Sequence, residues 1–263
     1  MGADDRKWAL ILGASSGFGE ASALAFAASG YDVFGVHLDR RSGLEHVAEI
    51  VARIEAHGRE AHFFNVNAAD PEKRGEVVAA MTEAAVGAPV RVLLHSLAFG
   101  TLKPYIAESE RDALSRAQMD MTLDVMAHSL VYWTQDCHRA GLLRQGSKVY
   151  AMTSAGDRIV WKAYGAVSAA KCALESHVRQ LAVELAPEGI TANAVKAGVT
   201  DTPALRKIPG NEAIVESARQ RNPAGRLTTP EDVARCLVAL SAPGTEWLTG
   251  NVLQVDGGED VAG

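Results

Sequence analysis

The sequence predicts an α/β domain built on a doubly wound parallel sheet of about seven strands, with helices on both faces. Three observations lead there. Seven short apolar runs alternate with longer segments of helical period, and strands separated by helices of that size imply right-handed crossovers. The chain has 263 residues, enough for one large domain that buries roughly 70–75% of its unfolded surface. No repeat, low-complexity linker or change of composition divides it, so 1–263 reads as a single domain.

Strands are expected over 8–12, 33–36, 62–66, 90–95, 148–153, 191–195 and 252–255. Helices are expected over 20–28, 44–56, 71–86, 110–139, 166–186 and 231–240. The stretch 197–226 is richest in Gly, Pro and Thr and is expected to be a mobile segment covering a substrate cleft.

Composition narrows the class. Hydrophobic residues make up 48% and charged residues 22% of the chain, as in a soluble enzyme. A net charge of -6 argues against a nucleic-acid binder, which would carry a basic stripe. Cys137, Cys172 and Cys236 lie far apart with no CxxC pair, so neither a disulfide framework nor a metal site is expected. The polar start of the chain lacks the apolar stretch of a signal peptide, and no apolar run reaches membrane-spanning length. The expectation is a cytoplasmic protein without a membrane partner.

After the first expected strand come Gly13-Ala-Ser15-Ser16-Gly17-Phe18-Gly19, opening a helix. A glycine turn there lets backbone N–H groups approach a pyrophosphate, which the helix dipole also attracts. The spacing GxxxGxG differs from the commoner GxGxxG. The ribose would be read at the end of the second strand, where Asp39 precedes Arg40 and Arg41. An acid at that end bonds a ribose 2′-OH, whereas arginine accommodates a 2′-phosphate. Asp39 falls two residues past the usual acidic position, and paired arginines match phosphate geometry, which favours NADPH over NADH. The plainer alternative is that both arginines flank the next helix in solvent.

These features together resemble the short-chain dehydrogenase/reductase family, which implies a Rossmann-like fold. Asn65-Val66 resembles the family's adenine-side Asp-Val pair, and 250–258 its last strand and closing turn, so the resemblance spans nearly the whole chain. The family usually spaces its tyrosine and lysine as Y-x3-K. Here Tyr164 and Lys171 give Y-x6-K, the spacing of the enoyl-acyl-carrier-protein reductase branch. Leu94-His95-Ser96-Leu97-Ala98-Phe99 resembles the His-Ser-Ile-Ala-Phe run of such reductases and would set Ser96, Leu97 and Ala98 beside the cofactor. The segment 194–205, with Pro223-Ala-Gly-Arg226 downstream, is similar to divergent NADPH-using enoyl reductases of bacilli. The resemblance further implies that Gly198, Val199 and Thr200 meet the nicotinamide carboxamide, that Thr202 reaches the phosphates, and that the long helices pair subunits into a homotetramer.

The chemistry gives these residues distinct tasks. Hydride added to the β-carbon of a conjugated thioester leaves negative charge on the thioester oxygen, and a donor aimed there stabilises it. Tyr164 takes that role, since a tyrosine of ordinary pKa near ~10 is protonated at neutral pH. Lys171 follows by nearly two helical turns, on the same face, to hold the nicotinamide ribose and supply positive potential. Ser154 ends a strand ten residues before Tyr164. It either contacts substrate, as the serine of the family's ketoreductases does, or caps the strand. The second tyrosine of many enoyl reductases is missing. His95 reads as structural, and Trp161 as either lining or packing.

The leading expectation is an NADPH-dependent enoyl-thioester reductase of fatty-acid or related acyl-chain synthesis, its substrate carried on acyl carrier protein or coenzyme A. Arg158, Lys162, Arg206 and Lys207 are candidates for a basic patch facing an acidic carrier. The alternatives are a carbonyl reductase or hydroxyl dehydrogenase, in which Ser154 and Tyr164 act on a ketone or alcohol, and a nucleotide-sensing regulator without turnover.

Overall fold

The computed structural model describes residues 6–262. The polar stretch 1–5 lies outside them. In chain order the elements are β1 (Trp8–Leu12), α1 (Gly17–Ala28), β2 (Asp32–His37), α2 (Leu44–Glu55), β3 (Ala61–Asn65), α3 (Pro71–Ala85) and β4 (Val90–His95). Then come α4 (Arg116–Leu123), α5 (Ser129–Arg139), β5 (Lys148–Thr153), α6 (Gly165–Leu185), β6 (Thr191–Ala197), α7 (Asn211–Arg221), α8 (Pro230–Leu240) and β7 (Val252–Val255).

The seven strands form one sheet in the order β3-β2-β1-β4-β5-β6-β7, and every neighbouring pair is parallel. Alternate side chains of a strand face opposite sides, and β1 divides accordingly. Leu10 and Leu12 pack with Met81 of α3, Trp133 of α5 and Leu174 of α6. Ala9 and Ile11 pack with Phe26 of α1, Ile50 of α2 and Leu237 of α8. Strands covered on both faces read as continuous apolar runs, which is why they were visible in the sequence. The chain reverses its winding between β1 and β4, and such a switch point opens a crevice at the carboxyl ends of the strands.

Two stretches differ from expectation. The helix expected over 110–139 starts only at Arg116, because Ser115 caps it: the Ser115 hydroxyl accepts the Gln118 N–H at 3.3 Å, and the Gln118 side chain accepts the Ser115 N–H at 3.0 Å. It also contains a π turn, Asp124–His128, joining α4 to α5. The segment 197–226, expected to be a mobile cover and given no helix, contains α7. That helix buries only Ala218 and has no apolar stripe for a periodicity reading to find.

Candidate active site

The crevice at the switch point is a cavity of about 470 Å³. Gly13, Ser15, Ser16, Gly17, Phe18, Val66, Ser96, Leu97, Ala98, Ser154, Tyr164, Lys171, Gly198, Thr200 and Thr202 all line it. Of the expected site residues, Gly19, Arg40, Arg41, Asn65 and Val199 do not.

At one end, the turn after β1 leaves no room for side chains. Gly13 and Gly17 adopt positive φ, +91° and +55°. A Cβ at Gly13 would lie 2.5 Å from the Ser96 carbonyl oxygen, and one at Gly19 would lie 1.9 Å from that of Gly13. Gly19 therefore shapes the turn from behind. Ser16 stands at the N-cap of α1 in extended conformation, and its side chain makes no capping bond. The first-turn N–H groups are thus left for an anion, and the helix dipole favours one. Thr202 brings its methyl group to this turn, 3.4 Å from where a Cβ on Gly17 would stand. These residues fit a dinucleotide's pyrophosphate.

At the edge of the cavity, His37 and Leu38 line the wall. His37 Nδ1 donates to Asp39 Oδ2 at 2.9 Å. The Asp39 backbone is locked to Asn65, whose side chain accepts from Asp39 N and donates to Asp39 O, both at 3.0 Å. Asn65 accordingly braces the loop after β2 instead of facing the cavity. Arg40 and Arg41 follow at once, exposed, with no ion pair or side-chain hydrogen bond among the described residues.

The other end holds Tyr164, the residue before α6, reached through Ala163 at a φ of +64°. Gly156 lets the preceding loop pass the ring, since a Cβ there would come within 2.5 Å of Tyr164 Cε1. Burial pushes the Tyr164 hydroxyl above its ordinary range, so the group stays protonated. Ser154 Oγ is itself buried without a hydrogen-bond partner. Lys171 is 6% exposed and donates from Nζ to the Met152 carbonyl at 2.6 Å. Burial lowers its pKa to about 8, against the opposing pull of Glu175.

His95, at the end of β4, is fully buried. Its Nε2 donates at 2.8 Å to Ser129 Oγ, whose own proton goes to Val125 O in the π turn, also at 2.8 Å. Burial, then Lys171, lowers its pKa to about 3. It is therefore a neutral brace at physiological pH, not an acid or base. The π turn also supplies Val125 and Met126, which with Leu102, Met121, Val167 and Ile208 form an apolar wall to the cavity. Sequence reasoning missed this wall, because a π turn leaves no periodicity signal. His37 and Asn67 were also missed, although both adjoin positions the motifs had marked.

The candidate basic patch is smaller than expected. Arg206 is held by Asp201 through two bonds of 2.7 and 2.9 Å, and Arg158 is paired with Asp260. Lys207 lines the cavity, and Lys162 is exposed. Trp161 stands outside the cavity and donates to Pro209 O at 3.0 Å, tying the loop before Tyr164 to the covering segment.

A doubly wound sheet with an uncapped glycine turn at its switch point, and a partly buried tyrosine and a buried lysine at the neighbouring strand end, define an oxidoreductase that works with a nicotinamide dinucleotide. The chain belongs to the short-chain dehydrogenase/reductase family: a family model described as enoyl-(acyl carrier protein) reductase matches residues 13–259. It is 30% identical to galactitol 2-dehydrogenase (L-tagatose-forming) of Cereibacter sphaeroides, over 98% of this chain and 96% of the other. It is 29% identical to 1-cyclohexenylcarbonyl-CoA reductase of Streptomyces collinus, over 97% and 88%. Among solved structures, the enoyl-[acyl-carrier-protein] reductase (NADH) of Aquifex aeolicus superposes with a TM-score of 0.84 at 25% identity, covering 100% of this chain and 99% of the other.

Proposed function

We propose that this protein reduces the 2,3-double bond of an enoyl thioester, on acyl carrier protein or coenzyme A, in fatty-acid or related acyl-chain synthesis, with NADPH preferred. The observation that carries the reading is the placing of Tyr164, its hydroxyl kept protonated by burial, beside an apolar wall built from α4, the π turn and α6. A hydroxyl aimed at the thioester oxygen stabilises the charge that develops there as an enolate. The apolar wall suits an acyl chain and excludes water from it. NADPH, when bound, supplies the hydride. Gly13, Ser15, Ser16, Gly17, Phe18 and Thr202 would hold its phosphates, Val66 its adenine side, and Lys171 its nicotinamide ribose. The Lys171 ammonium has N–H donors beyond the one given to Met152 O with which to do so, and it would add positive potential beside the oxygen. The exposed Arg40 and Arg41 support a 2′-phosphate. The name of the Streptomyces relative itself describes reduction of an unsaturated thioester.

One observation favours a second reading. Ser154 Oγ, buried and unpaired beside Tyr164, provides a second hydroxyl for the carbonyl of a ketone. Oxidation of NADPH and NADH, followed by absorbance with a crotonyl or longer enoyl thioester and, in parallel, a β-ketoacyl thioester, separates the two. Rapid enoyl-dependent oxidation is expected; turnover of the ketoacyl thioester alone would replace the enoyl reading with the carbonyl one.

The protein is further proposed to act as a cytoplasmic homotetramer. The outer groove between α5 and α6, about 410 Å³ and lined by Tyr132, His177 and Leu181, supports pairing with a second subunit. A monomer by light scattering would remove this proposal.

A further inference from the structure

The last turn of the chain reaches the cleft wall from behind. After β7 the carboxylate of Asp256 accepts the N–H of Gly258 at 2.9 Å and that of Asp260 at 3.0 Å, which closes 256–260 into a compact turn. The turn drives Glu259 inward, to 6% exposure. Its Oε2 accepts the Val199 N–H at 3.1 Å, and its Oε1 stands 3.7 Å from the Arg221 guanidinium at the end of α7. Asp260 holds Arg158, in the loop before Tyr164. Asn222, just past α7, donates to Asp256 O at 2.9 Å. One short turn therefore grips three segments that border the cleft: the exit of β6, the end of the covering segment and the catalytic loop.

A carboxylate is costly to bury unless its hydrogen bonds are met, so Glu259 is not a neutral choice for this position. Burial raises its pKa, while the Val199 N–H and Arg221 hold it down. The backbone it touches matters. Gly198 and Thr200 line the cleft, whereas Val199 between them does not. The Thr200 hydroxyl donates to Gly198 O at 2.9 Å, so these residues form one small unit. That unit has little freedom behind it. A Cβ on Gly198 would lie 2.4 Å from Thr228 Oγ1 and 3.0 Å from Glu259 Oε2.

We propose that Glu259 is a positioning residue for the nicotinamide cofactor: its carboxylate, delivered by the C-terminal turn, anchors Val199 so that Gly198 and Thr200 face the cleft. The inference rests on the cleft being the nicotinamide site, which both enzymatic readings share, and not on the identity of the substrate.

The test needs no substrate. NADPH binding is titrated by fluorescence on the full-length wild type and on Glu259→Gln, Glu259→Asp and Glu259→Ala, with thermal midpoints recorded alongside. Glutamine keeps an acceptor oxygen at the same reach without charge; aspartate keeps the charge but falls one methylene short. Losing one buried hydrogen bond weakens binding by roughly 2- to 10-fold. E259Q should therefore stay within about 2-fold of wild type, E259D should weaken by about 5-fold, and E259A by up to about 10-fold. Unchanged affinity in E259D, with or without a lowered midpoint, overturns the proposal. So does a larger loss in E259Q than in E259D, which would make the charge facing Arg221 the important feature. Should E259A not fold, the contrast between the other two decides. A wild type that binds neither NADPH nor NADH would break the cofactor reading itself, before any variant is compared.

Discussion

The two ends of the cleft are built from very different lengths of chain. The glycine end is mostly local: Gly13 to Gly19 supply the turn, the uncapped helix start and the absence of side chains, while Ser96 and Thr202 close on it from elsewhere. The catalytic end is assembled at a distance. Ser154, Tyr164, Lys171 and Gly198 meet there, with His95 and Glu259 supporting them from behind. The local end is defined by sterics, so it should fail all at once. The assembled end is defined by buried polar groups, so it should fail by degrees and with pH.

The largest effect is expected at the local end. In Gly19→Ala the new Cβ must displace the Gly13 carbonyl, 1.9 Å away, and with it the turn that presents the first-helix N–H groups. Nucleotide binding, measured by fluorescence titration, should be lost, and the thermal midpoint should fall. An alanine variant that binds like wild type would show that the turn has slack the contact denies.

Next comes the donor. Tyr164→Phe is expected to lower kcat at least ~100-fold while NADPH affinity changes little, as for loss of one donor that acts in the transition state. Unchanged turnover would take Tyr164 out of the mechanism and leave Ser154 as the group to test.

Lys171 makes the assembled end pH-dependent, with two opposite signs. In the proposed role it is the ammonium form that would hold the ribose and supply the positive potential, so kcat/KM should fall as pH rises through about 8. Stability should move the other way. Between that value and the ordinary lysine pKa the unfolded chain binds the proton more strongly, so the apo protein gains stability as pH rises across the window. Lys171→Ala should abolish this gain and weaken both cofactor binding and turnover. Intact NADPH affinity in that variant would refute the ribose-holding role.

The same contrast governs what could be read from the sequence. The glycine turn and the Tyr164–Lys171 pair were legible because each sits in a contiguous motif whose spacing is set by a turn or a helix. The five inner strands were legible because burial on both faces leaves nearly unbroken apolar runs, and the edge strands β3 and β7, only partly buried, were legible from short runs of large apolar residues. The apolar wall at Val125 and Met126 was not, since a π turn interrupts the helical register without a compositional mark. Nor was the turning away of Val199, because the carboxylate that takes its N–H comes sixty residues later in the chain.

The smallest effect is expected where the two ends share nothing, at the outer rim beyond His37. Replacing Arg40 and Arg41 together by alanine should weaken NADPH by about 10-fold and NADH by less than about 2-fold, as for losing charge-assisted bonds to one phosphate. The loss is modest because both side chains are exposed and water already screens them. The same screening provides a second check. Raising ionic strength should erode the proposed preference for NADPH, while a preference set by buried contacts would persist. Equal weakening of both cofactors in the double variant would mean that these arginines serve the loop and not the phosphate. The discriminating contact would then fall to Asp39, held by His37 of the cleft wall, whose carboxylate favours a free 2′-hydroxyl.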